Sequence, residues 1–84
     1  MGTKNNPSEF DCESKAEPDE PKFTLLGREP SAATIVRMWA HSREVLIRQG
    51  KKPRSDYKQI IEARAIADEM EKFARKWARR KAQN

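Results

Sequence analysis

Between Gly50 and Pro53 this chain cannot run on as one helix, yet on both sides of that break its apolar residues recur at helical spacing. Gly50 can take the left-handed conformation that ends a helix, and Pro53 has no N–H to give to a helical ladder. The spacing predicts a first helix over about residues 32–49, roughly 27 Å long at about 1.5 Å per residue. Ile35, Trp39, Ser42 and Leu46 form its stripe, flanked by Val36, Met38 and Val45. Ser31, directly after Pro30, is a favoured N-cap because its hydroxyl can accept an orphan backbone N–H.

A second helix is expected over about residues 56–82, capped by Ser55 or Asp56, the latter also facing the positive end of the helix dipole. Tyr57, Ile60, Ala63, Ala67, Met70, Ala74 and Trp77 follow one another in steps of three and four, close to the repeat of coiled-coil packing. The small alanines let the first helix approach closely, with the bulk of Trp39 set against them. A connection this short makes the two helices antiparallel neighbours. The expected fold is therefore all-α, an antiparallel two-helix hairpin occupying residues 23–84.

Residues 1–22 are of another kind. They are rich in Asn, Ser, Glu, Asp, Lys and Pro, with Phe10 the one large apolar side chain besides Met1. Such a segment buries too little apolar surface to offset its ordering entropy, so an acidic, disordered tail is expected. Phe23-Thr24-Leu25-Leu26 is a short apolar run stopped by Gly27, and it is read as a lid across the helices. Charge divides the chain near the same point. Residues 1–30 carry four basic and seven acidic side chains, and residues 31–84 carry fourteen basic and six acidic.

A chain of 84 residues buries only about 60% of the surface its unfolded form exposes, so its core is thin. Cys12 is the single cysteine and cannot form a disulfide within the chain, and His41 is the single histidine. A metal site is not supported, and no cofactor is expected. Burial on a second copy or on a partner is the remaining source of stability. A two-fold homodimer is the simplest closed form, with the partner covering apolar positions off the main stripe of the second helix. No apolar run approaches the ~20 residues needed to cross a membrane, and no secretory signal stands at the start, so a cytoplasmic location and no membrane partner are expected.

Catalysis lacks its materials. A nucleophile, a base and an orienting group cannot be assembled from one His and one tail Cys, and with Gly2, Gly27 and Gly50 as the only glycines there is no phosphate loop. His41 and Glu44, three apart, read as a surface pair. The basic residues are the strongest chemical signal. Arg48, Lys51, Lys52 and Arg54 surround the turn, and Arg75, Lys76, Arg79 and Arg80 lie near the end, with no acid after Glu71. These are the candidate phosphate contacts. In a hairpin the two clusters stand on the order of 30 Å apart. Phosphate contacts of this kind give salt-dependent binding that ignores sequence, while cations in the last turns of a helix are also favoured by its dipole. No zinc-finger or RNA-recognition signature accompanies them.

Three segments, Phe23-Thr-Leu-Leu-Gly-Arg-Glu-Pro30, Ile35-Val-Arg-Met-Trp-Ala40 and Glu62-Ala-Arg-Ala-Ile-Ala-Asp-Glu-Met-Glu71, resemble a group of small phage, prophage and proteobacterial proteins. That group shows an F-x-L-L-G-R-D-P start, an I-R-x-W-A helix and an A-x-x-x-A-D-x-M-E helix. The likeness spans residues 23–73; Glu29 replaces the usual Asp, and Ala33 stands where a second Pro often follows. The resemblance implies a phage-type context and supplies no mechanism. The expected function is a non-catalytic accessory or regulatory protein that binds another protein, such as a phage-encoded modulator of a host factor. Its candidate partner surface is Arg28, Arg37, Ile61, Ile66 and Phe73. The alternative is a basic helical protein that binds nucleic acid.

Overall fold

Residues 1–83 are described by the computed structural model, and they follow the order α1 (Cys12–Lys15), α2 (Ala32–Arg48), a 3-10 turn (Arg54–Asp56) and α3 (Tyr57–Gln83). The class is all-α. The only β feature among the described residues is an isolated bridge between Gly2 and Pro7. Helices α2 and α3 pack against each other. Glu44, late in α2, reaches Tyr57 at the start of α3, whereas Arg37, a few residues into α2, reaches Asp68 and Glu71.

Helix α2 ends as its sequence dictates. Gly50 takes φ 73°, the Gly50 N–H donates to the Ile47 carbonyl at 3.0 Å, and the Lys51 N–H donates to the Leu46 carbonyl at 2.9 Å. This pair of bonds satisfies two of the orphan carbonyls of the last turn. The beginning of α2 departs from expectation. Ser31 holds the N-cap position, but its hydroxyl donates to the Glu29 carboxylate at 3.1 Å and caps no backbone N–H. A turn over the preceding residues carries the chain into the helix instead, with the Ala32 N–H donating to the Glu29 carbonyl. Ser55 and Asp56 lie inside the 3-10 turn that begins after Pro53 and runs directly into α3.

The core is small and made mostly of alanine. Ala32, Ala33, Ala40, Ala63 and Ala67 are buried, and Ile60 is the largest side chain fully removed from water among the described residues. Met1, Val36 and Ile47 pack against the Ala40–Ile60–Ala63 cluster. From Ile60 to Ala74 the α3 stripe reads as its spacing predicts, with Ile60, Ala63 and Ala67 buried and Met70 and Ala74 half-buried, whereas Tyr57 at its start is 40% exposed and Trp77 at its end stacks on Phe73. The α2 stripe does not. Its buried side is Ala32, Ala33, Ala40 and Glu44, while Ile35, Met38, Trp39 and Ser42 are exposed. Small residues let the two backbones approach along an alanine seam, and the bulkiest side chains of α2 are turned away from it.

The segment read as a disordered tail carries α1, whose N-cap Asp11 accepts from the Glu13 N–H. Its Lys22 also pairs with Glu13. The Met1 ammonium donates to the Phe10 carbonyl at 3.3 Å, which closes residues 1–10 into a loop that lies against the core through the Met1 side chain. Among the described residues, no helix is long and apolar enough to cross a membrane.

Candidate functional site

Residues Leu25–Arg28 run along α3 and leave a groove of about 510 Å³ beside it, bounded at one end by Gly2, Thr3 and Lys4. Gly27 lies close to the helix: a Cβ there would sit 3.6 Å from the Met70 Cα and 3.7 Å from the Phe73 Cβ. Ile66, Met70, Phe73 and Trp77 line the α3 wall. Their spacing along α3 is the reason they share that wall, since helical positions three and four apart fall on one face. Phe73 and Trp77 stack with ring centroids 6.2 Å apart. The Arg28 guanidinium lies over the Trp77 ring at 5.0 Å, and the Lys81 ammonium lies 5.4 Å from the same ring. An apolar trough with cations at its rim suits a ligand that is apolar in the middle and acidic at its edge. Glu69 is the acidic lining residue.

Three of the five candidate partner residues, Arg28, Ile66 and Phe73, come together in this groove. Ile61 does not; it is 62% exposed on another side of α3. Arg37 is engaged elsewhere, donating to Asp68 at 2.8 Å and to Glu71 at 3.3 Å. The bond to Asp68 is the main cause that raises the guanidinium pKa above its ordinary value, with burial opposing it and Glu71 adding to the rise. Arg37 is therefore a bridge between α2 and α3 on the packed side of the pair.

The candidate phosphate contacts divide in a similar way. Arg48 donates to Glu44 at 3.0 Å, and Arg75 stands 3.8 Å from Glu71. Lys51, Lys52 and Arg54 are exposed around the turn; Lys76, Arg79 and Arg80 are exposed on α3. None of these six forms an ion pair among the described residues. The length of α3 sets the two clusters at its opposite ends, about 30 Å apart along its axis.

Two features were not read from the sequence. Spacing alone places Trp77 in the helix seam, yet it stacks on Phe73 in the groove wall beneath Arg28. The sequence reads Glu44 as a surface partner of His41, yet it is the one charged residue among the buried positions of the described residues. The Tyr57 hydroxyl donates to its carboxylate at 2.6 Å, Arg48 at 3.0 Å and Arg64 at 3.3 Å. These donors hold the Glu44 carboxyl below the usual carboxylate range; Tyr57 has the largest influence, burial opposes it, and Arg64 and Arg48 add to the lowering. The Arg48 partner four residues on was the available signal, since i,i+4 pairs meet on a helix. Tyr57 and Arg64 belong to the other helix, so only packing reveals them.

Comparison with protein-family models, curated proteins and solved structures finds no match, so the site rests on the geometry of the chain itself.

Proposed function

We propose that this chain is a non-catalytic accessory protein that binds another protein by seating an apolar segment of it, flanked by acidic residues, in the groove beside α3. In this reading the helices form an antiparallel hairpin, residues 23–28 act as its lid, and the working form is a cytoplasmic homodimer. A phage-encoded modulator of a host factor is the context that fits. The observation that carries the reading is the open groove of about 510 Å³ walled by Ile66, Met70, Phe73 and Trp77, with Arg28 over the Trp77 ring. Phe73 remains 45% exposed there, a large aromatic surface for a chain of this size to leave in water.

The test is selection of peptides from a displayed random library on the full chain. Enriched peptides should share apolar residues flanked by Asp or Glu. Their binding should be lost in Phe73→Ala and Ile66→Asp, weakened in Arg28→Glu, and retained when Lys51 and Lys52 are neutralised. A library that yields no enrichment, or peptides indifferent to Phe73 and Ile66, sinks this reading.

Nucleic acid is the second reading, favoured by Lys76, Arg79 and Arg80, which stand exposed and without an ion pair among the described residues. Anisotropy titrations with labelled duplex and single-stranded DNA across about 50 to 200 mM salt separate the two. Affinity that falls steeply with salt and vanishes when Lys51, Lys52, Arg79 and Arg80 are neutralised supports nucleic acid. Absence of binding at the low-salt end removes it.

A further inference from the structure

We propose that the outer face of α2 pairs two copies of this chain, antiparallel, about a two-fold axis at Ser42. The inference rests on the homodimer of that reading and assigns its face; because it uses residues other than those of the groove, peptide binding and this face can fail separately. Ile35, Met38, Trp39, Ser42 and Leu46 are spaced three and four apart and lie on the side of α2 opposite Ala33, Ala40 and Glu44. Met38 is 66% exposed, and Ile35 and Trp39 are exposed beside it. No Asp, Glu, Lys or Arg falls on this strip. Arg37 and Glu44 turn toward α3, and Arg43 folds over the Trp39 ring at 5.1 Å, along one edge.

The strip complements itself. An axis through Ser42, perpendicular to α2, sets Trp39 beside the second copy's Leu46 and Met38 beside the second copy's Val45. Each pair lies about 5–6 Å along the helix from Ser42 and on the same edge of the strip. Ser42 at the centre is small enough for the helix axes to come within the usual 8–10 Å or so. An uncharged, self-complementary face favours a second copy over a charged partner, and two-fold pairing makes the contact closed.

Surface area points the same way. The chain exposes 6913 Å², whereas a compact monomer of 9.7 kDa exposes about 5,100 Å². A standard interface removes about 800 Å² from each partner, which is less than half of that excess. With Ile60 as the largest fully buried side chain, this burial adds what the alanine seam lacks. Arg43 of each copy meets the other along the shared edge, so association should strengthen as salt rises, opposite in sign to phosphate binding.

The experiment uses the full chain with Cys12→Ser. Sedimentation equilibrium at high micromolar concentration should give a dimer that tightens with salt. Met38→Glu and Ser42→Arg should each weaken it by about tenfold or more while keeping the helical circular dichroism of a folded chain. Ser42→Cys, treated with diamide, should give a disulfide-linked dimer in high yield, the two thiols passing two electrons and two protons to the diazene. Thr34→Cys, exposed on α2 but off the strip, should not. A monomeric chain at the highest concentration overturns the proposal. So does a dimer that survives both Met38→Glu and Ser42→Arg and gives no cross-link through Ser42→Cys.

Discussion

Glu44 shows how one buried charge makes stability depend on pH. Its carboxyl titrates below the ordinary range in the folded chain, chiefly because Tyr57 donates to its ionised form. The unfolded chain takes up that proton at the ordinary value of about 4.3. The stabilisation is therefore complete above that pH and is lost as the pH falls toward the folded value. Melting temperatures from about pH 7 to about pH 3 should show Glu44→Gln less stable than the native chain at neutral pH, with the gap closing on acidification. A gap independent of pH would show that the charge contributes nothing. Two glycines make a second contrast at this scale. Gly50 sits at φ 73°, so Gly50→Ala should cost about 1–2 kcal/mol by thermal or urea melts. Gly27 has no positive φ, and a Cβ there would meet Met70 and Phe73 at ordinary contact distance. Gly27→Ala should instead be neutral or stabilising by up to about 1 kcal/mol, through a less flexible unfolded chain. Equal losses at both sites would contradict this account.

At the scale of elements, the alanine seam explains what could be read from the sequence and what could not. The α3 stripe was legible because Ile60, Ala63, Ala67, Met70 and Ala74 keep one period, and small residues on it still mark the face that approaches a neighbour. The turn was legible because Gly50 and Pro53 each have a single structural use there. The α2 face was not legible because hydrophobic size points the wrong way there: Ile35, Met38 and Trp39 outweigh Ala33 and Ala40 on any such scale. What decides is the separation of the backbones. Once Ala63 and Ala67 bring α3 close, only Ala40 and its neighbours fit opposite them, and the large residues go outward. The groove was half legible: Phe73 and Ile66 stood out as excess apolar positions on α3, but their meeting with Arg28 depends on how residues 25–28 lie along the helix. The seam carries its own prediction. Ala63→Leu adds three heavy atoms where Ala40 and Ile60 leave no room, so it should destabilise by about 1–3 kcal/mol in urea melts. The same change at exposed Ala65 should stay within about 0.5 kcal/mol. Tolerance of leucine at position 63 would mean that the helices are not held at alanine distance.

For the whole molecule the governing fact is the division of charge between its two parts. Residues 1–22 hold six acidic and three basic side chains, so the remaining chain carries +8 while the complete one carries +5. Met1 packs beside Val36 and Ile47 on the core, which keeps this acidic arm near the basic helices and lets it lower their potential. The molecule is elongated, 50 × 30 × 21 Å with a radius of gyration of 14.5 Å, against about 12 Å for a compact chain of this length. At such distances the arm is felt mainly at low ionic strength, because the screening length is about 10 Å at 0.1 M salt. Removing residues 1–22 should therefore have two separable effects. Loss of the Met1 contact lowers the melting temperature at every salt concentration, since an apolar contact is not screened. Loss of the acidic side chains makes the shortened chain elute from a heparin column at higher salt than the complete one. Neutralising the arm in place, with Glu9, Asp11, Glu13, Glu17, Asp19 and Glu20 changed to their amides, isolates the second effect. That variant keeps Lys4, Lys15 and Lys22 and carries +11 against +8 for the shortened chain, so it should elute from heparin at least as late as the shortened chain yet keep more of the native melting temperature. If its elution stays with the native chain, the arm does not shield the basic clusters, and the charge asymmetry of the sequence has no electrostatic consequence at this scale.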